Sequence, residues 1–258
     1  MTGVDISLVE VAASLVLIAL AVAVSFWRRA ELEADIAVAV LRSFVQLTAV
    51  GYVIQAIFDS DSLWLVAALL AGMVGFGTFT ARSRASGVPG AAVPILLALG
   101  SAAAVTLGLV LVLGVFEAEP RYLVPVGGMV IGNSMTAAAV SLNRLADEVS
   151  GSARMIEARL ALGATARQAA EGLVARSLRS GMIPLVDSTK TTGVVFFPGT
   201  MVGMLVAGAE PLDAVRLQLI LLWVLLGSVA TAALLAVSLA YRGFFTDAEQ
   251  LREPPPEA

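Results

Sequence analysis

Apolar residues in this chain gather into long runs, and polar residues are confined to short breaks between them. A helix needs about 20 consecutive apolar residues to cross the hydrocarbon core of a bilayer. Seven runs reach or approach that length, at 6–27, 36–58, 63–81, 91–116, 122–142, 182–207 and 215–241. The third is the shortest and is diluted by Gly72, Gly75 and Gly77. The fourth carries Pro94 in its first turn, where the missing N–H costs nothing. The pattern predicts an all-α, polytopic membrane protein with about seven transmembrane helices.

The breaks alternate in charge. Arg28 and Arg29 follow the first run, Arg82 and Arg84 the third, and Arg242 the seventh. Asp59-Ser60-Asp61, Glu117-Ala118-Glu119 and Glu210-Pro211-Leu212-Asp213 follow the second, fourth and sixth. Arginines near span ends favour the cytoplasm, so the N-terminus is expected outside and the C-terminus inside. Arg121 and Arg216 oppose this orientation; Arg144, Arg154, Arg159, Arg167, Arg176 and Arg179, all between the fifth and sixth runs, agree with it. The first run, Ile6 to Phe26, follows Asp5 and precedes two arginines, the reverse of a secretory signal, and reads as a permanent span. Residues 1–246 read as one transmembrane domain in a cell inner (plasma) membrane. Residues 247–258, ending in Glu253-Pro254-Pro255-Pro256, read as a disordered cytoplasmic tail.

Composition narrows the function. The 258 residues are 59% hydrophobic and 14% charged, against about half and a quarter in a soluble domain, which makes lipid the expected solvent. The absence of cysteine and histidine excludes disulfides, thiol or imidazole catalysis and His-ligated metal sites. A net charge of −4 with no basic tract gives no sign of nucleic-acid binding. No Gly-x-x-x-x-Gly-Lys-Ser/Thr phosphate loop is present, so the chain itself is not expected to be an enzyme or to hydrolyse ATP.

Residues 143–181 form the one sizeable stretch between runs. Ser152 is placed to cap a helix through Met155, Ile156, Leu160 and Leu162, and Gly163 suits the left-handed residue that ends it. Thr165 and Gln168 have the spacing of a capping box that opens a second helix. Such a helix-turn-helix fits either a basic hairpin on the membrane surface or a docking element for a partner.

The sequence Glu157-Ala158-Arg159-Leu160-Ala161-Leu162-Gly163-Ala164-Thr165 resembles the Glu-Ala-Ala-x-x-Leu-Gly-Ala-Ser coupling loop of ABC-transporter permeases, with Arg159 in place of the second alanine. Further stretches are similar to the FetB family of ABC permeases: Arg42-Ser43-Phe44-Val45-Gln46-Leu47 with Gly51-Tyr52-Val53, Gly132-Asn133-Ser134-Met135, and Ile183-Pro184-Leu185-Val186-Asp187-Ser188-Thr189-Lys190-Thr191. That resemblance implies a permease that exports a metal ion such as iron, or a small metal-related solute. It also implies a homodimer and a separate ATPase subunit that binds ATP and Mg. Glu157, Ala158, Leu162, Gly163, Ala164 and Thr165 would then contact that ATPase.

Polar residues inside the runs are the candidates for a substrate pathway. Lys190, the only lysine, stands about 12 Å inside the sixth run, counted from Met182. A charge at mid-membrane costs roughly 2.5–3.5 kcal/mol. Asp187, three residues earlier, is placed to pair with it. Such a pair serves either helix packing or a polar pathway with Thr189. Arg42 and Gln46 share a face of the second run, where Arg42 can also snorkel to the headgroups. Asn133 either lines a pathway or bonds a neighbouring helix. Gly128-x-x-x-Gly132 and Gly199-x-x-x-Gly203 allow close helix contact, and Pro198 is expected to kink the sixth span. Met129, Met135, Met182, Met201 and Met204 read as gap-filling core, and no metal ligands can be assigned. Two alternatives stand beside the ABC permease. One is an ATPase-independent secondary transporter or channel that uses Asp187 and Lys190; the other is a membrane scaffold whose loop recruits a partner.

Overall fold

The computed structural model describes residues 8–60 and 62–252. Asp5, residues 6 and 7 of the first run, the acidic Asp61, and residues 253–258 of the expected tail lie outside the described residues. Among those described, nine α-helices follow one another without a β-sheet: α1 (Leu8–Arg28), α2 (Glu33–Ser60), α3 (Leu63–Arg84), α4 (Ala92–Val112), α5 (Pro120–Gly151), α6 (Ala153–Ala161), α7 (Ala166–Thr191), α8 (Gly199–Val206) and α9 (Pro211–Ala240). A 3-10 turn, Tyr241–Phe244, closes α9. Six helices, α1 to α5 and α9, are long and apolar enough to cross a bilayer.

Helices α5 and α9 lie at the centre, with α3, α4 and α7 packed around them. Ile95, Leu99, Leu142, Leu145, Ile156, Leu173 and Val237 form the main core. Alanines 137–139 on α5 and Ala232, Ala233, Ala236 and Ala240 on α9 keep the central helices close, because small side chains let backbones approach in a lipid-embedded bundle. Buried Ser177 and Ser228 donate to the carbonyls of Leu173 and Leu225 on their own helices. Helices α1 and α2 stand to one side. Ser25 joins them at their corner, donating to Glu33 Oε1 at 2.7 Å and accepting from the Leu32 N–H at 3.1 Å. Helix α2 meets the bundle through Ile57, which clusters with Val66 and Val124.

Three expectations are corrected. The sixth run is not one helix over 182–207. Helix α7 enters it from Ala166, stops at Thr191, and α8 resumes at Gly199. Two β-branched threonines, Gly193 in the left-handed region (φ +83°) and Pro198 interrupt it, so the chain breaks where only a kink was expected. The stretch 143–181 is therefore not a separate loop: α5 runs on to Gly151, α7 starts at Ala166, and α6 alone lies between. At 32 residues α5 is about 48 Å long, well beyond a ~30 Å core. Residues 247–252, expected in a disordered tail, instead form a turn in which Leu251 packs on the core beside buried Phe244 and Phe245, while residues 247–250 and 252 stay exposed.

Close helix contact falls only partly where expected: a Cβ on Gly128 would stand 3.2 Å from Met73 Cε of α3. Nothing within the described chain approaches the Cβ positions of Gly132, Gly199 or Gly203. A Cβ on Gly127 would instead meet Leu70 Cδ2 at 2.4 Å, and one on Gly181 would meet Ser141 and Ala137 of α5.

Candidate functional site

Helix α6 is anchored by fully buried Ile156, which holds its opposite side outward. The helix ends in a two-bond left-handed cap. The Gly163 N–H donates to the Leu160 carbonyl at 2.9 Å, the Ala164 N–H donates to the Arg159 carbonyl at 3.0 Å, and Gly163 has φ +87°. Thr165 then opens α7 with both arms of its capping box: the Gln168 N–H donates to Thr165 Oγ1 at 3.3 Å, and the Thr165 N–H to Gln168 Oε1 at 2.9 Å. Ser152, by contrast, makes no side-chain cap bond. Glu157, Ala158, Leu162, Gly163, Ala164 and Thr165 thus occupy one helix-turn-helix corner, with Leu162 89% exposed at its tip. Sequence reasoning missed Glu249 here: its carboxylate accepts from the Ala166 N–H at the start of α7.

From this corner α7 runs along α5. Glu148 of α5, its side chain 10% exposed, bridges Arg144 at 2.5 Å and Arg176 of α7 at 2.7 Å. Farther along, Gly181 lets α7 lie directly on α5. Stepping three or four residues at a time from Arg144 along α5 leads to exposed Val140, Thr136 and Asn133. The same steps from Arg176 along α7 lead through Ser180 to exposed Ile183, Asp187 and Lys190. Both stripes therefore share the open side of the α5–α7 seam. Lys190 Nζ lies 3.1 Å from Asp187 Oδ1, with the two side chains 69% and 61% exposed. A surface groove follows α7 past Arg179, Met182, Ile183, Val186, Asp187 and Lys190.

The remaining candidates are placed differently. Asn133 donates to Met129 O on its own helix at 2.8 Å, not to a neighbour. Thr189 is partly buried and donates to Leu185 O at 2.7 Å. Arg42 and Gln46 are exposed on α2, and no hydrogen bond or ion pair among the described residues joins them to the α5–α7 seam. Beyond Lys190 the chain unwinds over residues 192–198, where the Gly193 N–H donates to Phe196 O at 2.9 Å and Val194 and Val195 are exposed. Among the described residues no group of three or more His, Cys, Asp or Glu is placed to hold a metal ion. Met135, Met129 and Met182 pack against apolar clusters, as gap-filling side chains do.

Six helices long and apolar enough to cross a bilayer, with a discontinuous helix and polar stripes along one seam, fit a multi-pass membrane protein in class. The chain belongs to the uncharacterised protein family UPF0014, which matches residues 8–245. It is 37% identical to "Protein ALUMINUM SENSITIVE 3" of Arabidopsis thaliana, over 95% of this chain and 90% of that one. It is 37% identical to "UPF0014 membrane protein STAR2" of Oryza sativa subsp. japonica, over 96% and 87% of the two chains. It is 33% identical to "Probable iron export permease protein FetB" of Escherichia coli (strain K12), over 94% and 93%. The resemblance to the FetB family thus extends over nearly the whole chain. No solved structure matches it significantly.

Proposed function

We propose that this chain is the membrane subunit of an ABC exporter, energised by a separate ATPase. Two copies enclose the pathway, and the cargo is a metal ion such as iron or a small metal-related solute. The observation that carries this reading is the continuity of α7. One 26-residue helix starts at the capped corner of residues 163–165 and reaches the exposed Asp187–Lys190 pair. A push at the corner is thereby delivered to polar groups inside the membrane. Those groups find little cover within one chain, and charged residues in a bilayer face a bundle interior or a water-filled cavity. A second copy against the α5–α7 seam supplies that environment.

In this reading the Arg-rich end, with the α6–α7 corner, faces the cytoplasm of a plasma (inner) membrane, and the N-terminus faces out. ATP and Mg are bound by the partner, and this chain catalyses nothing. The similarity to the probable iron export permease of Escherichia coli, 33% identical, supports iron as cargo. The exposed Asp187–Lys190 pair also suits a proton relay in a transporter that works alone. The test is purification with the ATPase, followed by a screen of ferrous iron, other divalent metals and metal chelates for stimulated hydrolysis. A stimulating metal or chelate supports the reading. Hydrolysis that ignores all of them and ignores the permease contradicts it.

A further inference from the structure

Beyond α9 the chain turns back and reaches the α6–α7 corner. Phe244 and Phe245 are buried in the main core, and Phe245 pairs with Leu251 in an antiparallel bridge. The Thr246 N–H donates to the Gln250 carbonyl at 2.8 Å, and the Arg252 N–H to the Phe244 carbonyl at 2.8 Å. Arg252 Nε also donates to Phe245 O at 3.0 Å. These bonds close residues 245–252 into a hook.

Glu249 sits at the hook's bend with φ +59°, a left-handed backbone that is strained for a side chain of its size. Its carboxylate accepts from the Ala166 N–H, 83 residues earlier in the chain. That N–H belongs to the first turn of α7, whose donors have no partner within the helix. A carboxylate there is also favoured by the helix dipole. A strained backbone held in place by the surrounding bonds is a pointer to function. The hook walls a surface groove with Glu157, Leu160, Ala161 and Ala164 of the corner, yet leaves Leu162 at the tip uncovered. The Glu157 side chain forms no ion pair or hydrogen bond within the described residues.

We propose that the carboxy-terminal hook is the second half of the partner-docking surface, and that Glu249 is the positioning residue that holds the α6–α7 corner in its docking shape. The inference rests on the reading of that corner as the ATPase dock. The partner meets an apolar tip, Leu162, flanked on one side by the carboxylates of Glu157 and Glu249. It therefore presents an apolar cleft with basic residues on the facing rim.

The test uses the full-length permease in nanodiscs and the ATPase that co-purifies with it, identified by its phosphate-loop sequence and then purified alone. Binding is measured for the intact chain, chains ending at Arg252 or at Phe245, Glu249→Ala, Glu249→Gln and Gly163→Val. The chain ending at Arg252 is expected to bind as the intact protein does. Glu249→Ala and the chain ending at Phe245 are expected to bind about tenfold more weakly. Glu249→Gln keeps an acceptor oxygen and falls between. Hydrogen exchange at the first amides of α7 rises in Glu249→Ala and is restored in Glu249→Gln. If the chain ending at Phe245 fails to fold, Glu249→Ala decides alone. Full binding by Glu249→Ala with loss in Gly163→Val overturns the role of the hook and leaves the dock standing. Full binding by Gly163→Val as well overturns the dock, and the hook with it.

Discussion

Gly181 of α7 lies so close to Ser141 of α5 that a Cβ on the glycine would stand 1.9 Å from the serine Oγ and 2.7 Å from the Ala137 carbonyl oxygen. The serine Oγ can turn aside by rotation about χ1, but the Ala137 carbonyl oxygen is backbone of a central helix and cannot move without shifting α5. Gly181→Ala is expected to cost about 1–3 kcal/mol, the range for overpacking a filled interior. Thermal unfolding in detergent should show a lowered midpoint, with Gly181→Leu worse. Ser141→Gly should restore part of the loss in Gly181→Ala by removing the hydroxyl.

The Glu148 carboxylate holds the same two helices nearer the corner. Its replacement by Ala leaves Arg144 and Arg176 without their shared partner, but their side chains are 48% and 50% exposed and solvent softens the loss. The expected destabilisation is about 1–2 kcal/mol. Arg144→Ala should cost less than Glu148→Ala, because Arg176 keeps its bonds through both Nε and a terminal nitrogen. Unfolding midpoints of the two variants, measured side by side, check the order.

Asp187 and Lys190 form one pair on an exposed helix face. Changing either alone to Ala leaves an unmatched charge in a membrane setting, which is unfavourable. Both single variants are expected to express poorly. The double variant is expected to insert and express well yet fail to transport. A double variant with normal transport would reduce the pair to packing.

Gly163 has φ +87°, which a β-branched residue adopts only under strain. Gly163→Val is expected to open the two-bond cap and tilt α6 away from α7. The spans keep their own hydrogen bonds and should stay folded. The measurements are membrane insertion, which should be unchanged, and transport, which should be lost. Glu157→Ala should have a smaller effect, under about 1 kcal/mol, since it removes one exposed charge.

Orientation is testable because the chain has no native cysteine. Single cysteines at positions 117–121 and 208–214 should react with an impermeant reagent in sealed cells. Cysteines at positions 83 and 165 should react only after lysis. Labelling of position 83 or 165 from outside reverses the topology.

Much of this arrangement is written locally in the sequence. The apolar runs at 91–116 and 215–241 enclose or overlap α4 and α9, and the Thr165–Gln168 spacing gives the capping box seen there. Gly163 was readable for the same reason: ending a helix demands one backbone geometry that glycine adopts freely. The features that were not legible depend on contacts distant in sequence. Nothing near Gly181 announces Ser141, and of the Gly-x-x-x-Gly glycines only Gly128 meets a neighbouring helix. Glu249 looked like part of a polar tail until Phe244, Phe245 and Leu251 packed its hook in place. The break at 192–198 did leave a trace in Thr191-Thr192-Gly193 and Pro198, but the apolar residues on either side concealed it.

The central claim is that transport needs a second polypeptide that hydrolyses ATP. The most direct measurement is movement of ferrous iron across proteoliposomes that hold the purified permease, with and without the separately purified ATPase. The account predicts ATP-driven movement only when both proteins and Mg-ATP on the ATPase side are present, and none with Gly163→Val. Movement by the permease alone, driven by an ion gradient and indifferent to ATP, would contradict it.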